Sequence, residues 1–293
     1  MPLIPNDDPE ALAELLGYLG EIGYGELYLR RGPGMEGGAA VAEGAAGGPA
    51  AAGAGRVGVV TAAGGEQGAD VEAEAAADAE AVGALVAAAR AAGGEGDGGK
   101  EGAEEAAART AALGAMAEVV AACRRCRLCE GRQKTVFGSG NPDADLMFIG
   151  EGPGAEEDRQ GLPFVGRAGE LLTRIIEAIG MTRGEVYIAN IVKCRPPGNR
   201  DPQPDEVAAC RPYLERQIAL VRPRLLVALG RIAAQTLLGN DLPIGRMRGQ
   251  WFEVLGVPLM VTYHPAALLR NPALKRPTWE DMQQVRDRLQ AAR

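Results

Sequence analysis

Four apolar runs, 146–150, 186–192, 225–230 and 257–263, punctuate the second half of the chain, and helical patterns lie between them. Leu172, Ile175, Ile176 and Ile179 form one stripe, closed by Gly180. Val207, Leu214, Ile218 and Val221 form a second, opened by Pro204 and Asp205, and residues 232–238 carry a third. Thr278, with Asp281 three residues on, is the expected cap of a fourth helix bearing Met282, Val285 and Leu289. Parallel strands need crossovers, and both faces of such a sheet must be covered. The expected fold is therefore α/β, a central, mostly parallel four-stranded sheet flanked by helices. Ligands of such sheets bind beyond the carboxyl ends of the strands. Each run here ends there in polar chemistry: GEGPG, Asn190 with Lys193 and Cys194, Gly230-Arg231, and His264-Pro265.

The first half is a different object. Residues 1–117 hold 6 basic and 19 acidic residues, whereas 118–293 hold 25 basic and 20 acidic. The overall charge of −8 alone suggests no nucleic-acid partner, but it averages an acidic half with a basic one, and the basic half suits a polyanion. Residues 9–28 read as a short amphipathic helix, with Leu12, Leu15, Leu16 and Leu19 at helical spacing. No aromatic follows Tyr28 until Phe137, and the intervening Ala-, Gly- and Glu-rich stretch cannot bury enough apolar surface to offset chain entropy. The expected organisation is a helical segment at 1–31 able to dock on a partner protein, a disordered acidic linker at 32–103, and a folded domain at 104–293. The acidic N-terminus is unlike a signal peptide, and no apolar run approaches the roughly 20 residues of a membrane span, so a cytoplasmic protein is expected.

All five cysteines lie in the second half. Cys123 and Cys126 form a C-x2-C pair, and Cys194 and Cys210 follow with fifteen residues between them. In a reducing compartment this set points to metal, and four thiolates hold either zinc or an iron–sulfur cluster. Cys129 adds a second C-x2-C, but the C-x3-C-P that would complete a ferredoxin run is missing, so Cys129 reads as a spare. The GEGPG loop lets backbone N–H groups approach a ligand, yet the acids that follow it disfavour a nucleotide-phosphate loop. His264, the single histidine, falls at a strand end beside a proline, where its imidazole can donate to developing negative charge.

Taken in order, the C-x2-C pair, GSGNPDADLMFIGEGPGAEEDRQGLPFVGRAGELL, NIVKCRPPGNRDPQPDEVAAC and HPAALLR resemble the family 4 uracil-DNA glycosylases, the iron–sulfur type, over roughly residues 118–291. The resemblance implies a 4Fe–4S cluster on Cys123, Cys126, Cys194 and Cys210, with a structural role. It implies an enzyme, acting as a monomer on single- and double-stranded DNA, that flips uracil out and hydrolyses its glycosidic bond. Phe164 resembles the residue that stacks under the base. Asn190 resembles the base reader, accepting from uracil N3–H and donating to O4, a pattern that cytosine opposes. His264 is placed to donate to O2 of the departing uracil. Glu151 is the nearest candidate to activate water, with Gly152 and Gly154 in the loop around the sugar, and Glu157 resembles the residue proposed to crowd a thymine methyl. Lys193 admits a Schiff-base lyase, but a lysine facing phosphate or the cluster is preferred, so a monofunctional enzyme is expected. Arg195, Arg200, Arg246, Arg248 and Arg270 are the expected DNA contacts, with Leu268 and Leu269 as a wedge in the base stack. The stretch 246–250 has no histidine, which argues against the subclass that traps DNA covalently there. Two other readings remain: a glycosylase for another deaminated base, and a non-enzymatic metal-cluster DNA-binding module.

Overall fold

The computed structural model describes residues 98–291. The helix expected at 9–28 and nearly all of the expected linker lie outside them. The first described element, α1 (Gly98–Ala122), begins six residues before the expected boundary at 104. Lys100, Glu101, Glu104, Glu105 and the alanines after them are good helix formers and carry the helix through Gly102. Its buried residues Ala112, Leu113, Met116 and Val120 recur at helical spacing and face the same core as Tyr213 and Leu214.

The four apolar runs are parallel strands, as expected: β2 (Leu146–Gly150), β3 (Tyr187–Asn190), β4 (Leu225–Leu229) and β6 (Val257–Thr262). The sheet, however, has six strands rather than four, in the order β1-β3-β2-β4-β6-β5. Both extra strands are antiparallel edges, β1 (Ser139–Gly140) on β3 and β5 (Trp251–Val254) on β6. At β1 the backbones approach so closely that a Cβ on Gly140 would lie 1.9 Å from the Val186 carbonyl oxygen. The β5–β6 hairpin turns on Leu255 and Gly256, both at positive φ.

Strand side chains alternate between two cores. On one face Met147, Ile149, Ala189, Leu226, Ala228, Leu259 and Val261 meet α1, α5 (Pro204–Val221) and α6 (Arg231–Leu238). On the other, Leu146, Phe148, Ile188, Val227 and Met260 meet α4 (Arg167–Ala178), α8 (Pro265–Arg270) and α9 (Lys275–Ala291). Short helices complete the domain: α2 (Leu128–Gly131), α3 (Ala155–Gln160) and α7 (Ile244–Met247). Thr278 does not cap α9, which starts at Lys275; its hydroxyl donates to the Leu274 carbonyl, 2.9 Å away. Asp281 is buried instead, bonded to the Thr262 hydroxyl at 2.7 Å and to the Arg248 guanidinium.

The chain crosses from β2 outward to β3, then returns past β2 to β4. A crevice therefore opens at the carboxyl ends of these strands, where the direction of winding reverses.

Candidate active site

A cleft of about 520 Å³ occupies that crevice. Its lining gathers residues from four strand ends: Glu151 after β2, Asn190 from β3, Gly230 and Arg231 after β4, and Tyr263 and His264 after β6. Gly152, Gly154, Glu157, Phe164, Arg200 and Arg270 join them.

Asn190 lies in register with Gly150 on β2. A Cβ on Gly150 would come within 2.4 Å of Asn190 Oδ1 and 2.6 Å of the Phe164 ring, so only glycine lets both side chains close over this point. Asn190 is 1% exposed, and its Oδ1 is buried with no hydrogen-bond partner. A buried orphan acceptor costs about 1–3 kcal/mol, which calls for a ligand donor. Phe164 holds a left-handed backbone, φ 52°, and its ring centroid is 5.5 Å from that of His264. The chain fits past it because Gly169 has no Cβ; one there would lie 1.9 Å from the Phe164 carbonyl oxygen. Strain of this kind persists only where the surroundings hold it.

His264 caps α8 with its own ring: Nδ1 accepts from the Ala266 N–H at 3.1 Å. The ring proton is therefore on Nε2. Burial, helped by the positive charge of Arg270 and opposed by Glu157, lowers the His264 pKa to about 4. The imidazole is thus neutral at physiological pH and offers Nε2–H as a donor. Burial pushes the Glu151 carboxyl up to about 7; repulsion from Asp201 adds to this and Arg231 opposes it. A carboxylate near neutral pH is suited to proton transfer.

Glu157 lines the cleft and also braces it. Its carboxylate accepts from Gly154 N (3.1 Å), Val165 N (3.0 Å) and Gly166 N (3.1 Å), joining the GEGPG loop to the loop that carries Phe164. Two further lining residues, Asp201 and Arg231, are ion-paired at 2.7 Å. They escape the sequence reading because the loop and the helix that carry them meet only in space, although the Gly230-Arg231 strand ending was a visible signal.

The arginines divide. Arg270 and Arg200 reach the cleft, and Arg200 is held by two bonds to the buried Glu206 carboxylate, 2.6 and 2.8 Å. Arg195 bonds Asn199 at 2.8 Å, and Arg246 is exposed on α7; neither lines the cleft. Arg248 turns inward to Asp281 and to the Pro277 carbonyl. Leu269 is 40% exposed, but Leu268, at 1%, is a core residue beside Leu171 and Ile175 and is not available as a wedge.

A second, smaller cavity is lined by all five cysteines, with Arg125, Arg132, Lys193 and Tyr213. Cys123 follows α1, Cys129 is in α2, Cys194 follows β3 and Cys210 is in α5. Arg132 donates to Cys194 Sγ (3.3 Å) and to the Cys123 carbonyl (2.7 Å), and the Lys193 main-chain N–H donates to Cys210 Sγ (3.3 Å). Burial raises the Cys126 thiol to about 11 and that of Cys210 to about 12. Among the described residues, no three His, Cys, Asp or Glu side chains close on a point as the ligands of a single ion do. Lys193 is fully buried and so does not face phosphate; burial lowers its ammonium to about 8.

The fold and the strand-end cleft define the class. The chain belongs to the uracil DNA glycosylase superfamily, whose family model matches residues 137–283, and within it to the type-4 uracil-DNA glycosylases. It is 45% identical to the type-4 uracil-DNA glycosylase of Saccharolobus solfataricus over 186 residues, 60% of this chain and 86% of that one. It is 44% identical to the type-4 uracil-DNA glycosylase of Thermotoga maritima over 175 residues, 58% of this chain and 91% of that one. The type-5 uracil-DNA glycosylase of Thermus thermophilus is more distant, 32% identical over 158 residues, 43% of this chain and 72% of that one. Among the described residues no helix is long and apolar enough to cross a membrane.

Proposed function

We propose that this protein removes uracil from DNA by hydrolysing its N-glycosidic bond, leaving an abasic site without cutting the strand. The observation that carries the reading is the orphaned Asn190 Oδ1, buried in the cleft beside the Phe164 ring. A flipped uracil stacked on Phe164 supplies the missing donor through N3–H, and the Asn190 amide donates to O4. Cytosine presents no N3–H, so it would leave Oδ1 unpaired and set donor against donor at the other contact. As the bond breaks, charge collects on the ring oxygens, and the neutral imidazole of His264 donates to O2. A donor so placed typically lowers the barrier by about 3 kcal/mol. Glu151, ionised above neutrality, takes the proton of the attacking water. Glu157 holds the two loops at the spacing the base needs.

The chemistry of the cysteine cavity supports a 4Fe–4S cluster on Cys123, Cys126, Cys194 and Cys210. Several sulfurs rim one cavity, and Arg132 and the Lys193 N–H donate to two of them, as suits anionic sulfur. Held by those cysteines, such a group would tie α1 and α5 to the segment after β3 and would supply no chemistry to base removal. DNA, single- or double-stranded, would lie across the basic face, with Arg270 and Arg200 nearest the flipped base and Leu269 beside the stack.

Uracil-, hypoxanthine- and thymine-containing oligonucleotides, treated with full-length cluster-loaded protein and then alkali, test the reading. Strand breaks at uracil only after alkali are expected in both single- and double-stranded substrates. Uracil left intact would refute it, and release of hypoxanthine instead would assign a different base.

A further inference from the structure

Among the described residues, the fully buried side chains include one ammonium, that of Lys193. Its Nζ donates to the main-chain carbonyl of Asn190 at 2.8 Å and to Gln217 Oε1 at 2.5 Å. Gln217 is fixed in turn: its amide donates to the Phe137 carbonyl (2.9 Å) and to the Tyr187 hydroxyl (3.2 Å). The same lysine lines the cysteine cavity, and its main-chain N–H reaches Cys210 Sγ at 3.3 Å. One residue thus touches the base-reading strand end and the rim of the cysteine cavity.

Both acceptors of Nζ are neutral. A buried ammonium is strongly disfavoured unless an opposite charge lies close, and an apolar side chain of similar length would serve packing better. The negative charge that acts on it is that of the Cys210 sulfur, a thiolate when it ligates metal. The lysine is thus electrostatically balanced when the cavity is loaded.

We propose that Lys193 is a positioning residue that ties the cysteine cavity to Asn190: its ammonium balances the charge of the loaded cavity and, so held, fixes the Asn190 carbonyl and with it the direction of the Asn190 side chain. The proposal rests on the readings of Asn190 as the base contact and of the cysteines as cluster ligands. It gives the cavity an influence on excision although no substrate touches it.

The test uses the full chain, cluster-loaded, as wild type, Lys193→Met, Asn190→Ala and the double variant. Three quantities are read: iron release to a ferrous chelator, single-turnover excision of uracil, and affinity for undamaged DNA. Lys193→Met should release iron about tenfold faster, because the counter-charge is gone. It should excise uracil about 10- to 100-fold more slowly, as a small misplacement of a substrate-contacting group does, with affinity for undamaged DNA unchanged. In the Asn190→Ala background the same substitution should slow excision less than about twofold, since it acts through Asn190. Wild-type excision by Lys193→Met, or the full loss repeated in the Asn190→Ala background, would overturn the proposal; iron release at the wild-type rate would overturn its charge-balancing half. If Lys193→Met takes up no iron, Gln217→Leu carries the test: it keeps the ammonium, removes one acceptor and should slow excision about threefold, wild-type excision again overturning the proposal. Failure of the wild type to excise uracil, or of Asn190→Ala to slow it, would instead strike the functional reading itself.

Discussion

Glu151 has a pH signature that can be worked out in advance. Its carboxyl is raised to about 7, first by burial and then by Asp201, against the pull of Arg231. A base acts only when ionised. At pH 7 about half the molecules carry the active form, at pH 6 about a tenth, and above pH 8 nearly all. Single-turnover excision should rise about tenfold between pH 6 and 8 and then level. His264 adds no second limb there, because its pKa of about 4 keeps it neutral throughout. Asp201→Asn removes a like charge and should move the midpoint to lower pH. Arg231→Gln removes an opposite charge and should move it to higher pH. Both side chains are substantially exposed, at 56% and 47%, so folding should survive either change. Glu151→Gln should abolish the limb and slow excision by about 10²–10⁴ at pH 8. The assay is excision of uracil from a labelled oligonucleotide by excess enzyme from pH 5.5 to 9. A flat profile in the wild type, or shifts of the same sign in the two neighbouring variants, would refute Glu151 as the base.

His264→Ala should slow excision by about 10²–10³ while leaving affinity for undamaged DNA unchanged, as titration with an undamaged duplex would show. Alanine at Cys123, Cys126, Cys194 or Cys210 should lose iron, measured per chain, and lower the melting temperature, whereas Cys129→Ala should retain both. Arg248→Ala should strip the buried Asp281 carboxylate of its ionic partner, leaving it the Thr262 hydroxyl, and cost about 3 kcal/mol in denaturant unfolding.

How far the sequence disclosed the molecule depended on whether the signal was local. The parallel strands are continuous buried runs, and the helices between them keep one apolar stripe each, so they were legible. Strand β5 was not, because Trp251–Val254 is short, carries Glu253, and turns at Leu255 rather than at an Asn-Gly pair. Thr278 imitated a cap because Asp281 follows at capping-box spacing, yet that carboxylate serves Thr262 and Arg248 from across the fold. Glu151, Asn190 and His264 could be picked out by their position at strand ends, where such sheets bind ligands. Asp201 and Arg231 could not, since their pairing joins a loop to the start of α6. Arg248 has the local pattern of a surface arginine although its partners lie inward, and Leu268 is buried while its neighbour Leu269, of the same residue type, is exposed. The buried ammonium of Lys193 is likewise a fact of packing that no local pattern announces.

The central claim is that the unpartnered Asn190 oxygen reads uracil N3–H. Its most direct measurement compares cluster-loaded wild type with Asn190→Ala in single-turnover excision from uracil-containing DNA, alongside their affinities for undamaged DNA. The account predicts a loss of at least about a hundredfold in excision with undamaged-DNA affinity held by phosphate contacts and unchanged. Equal excision by the two proteins would contradict it.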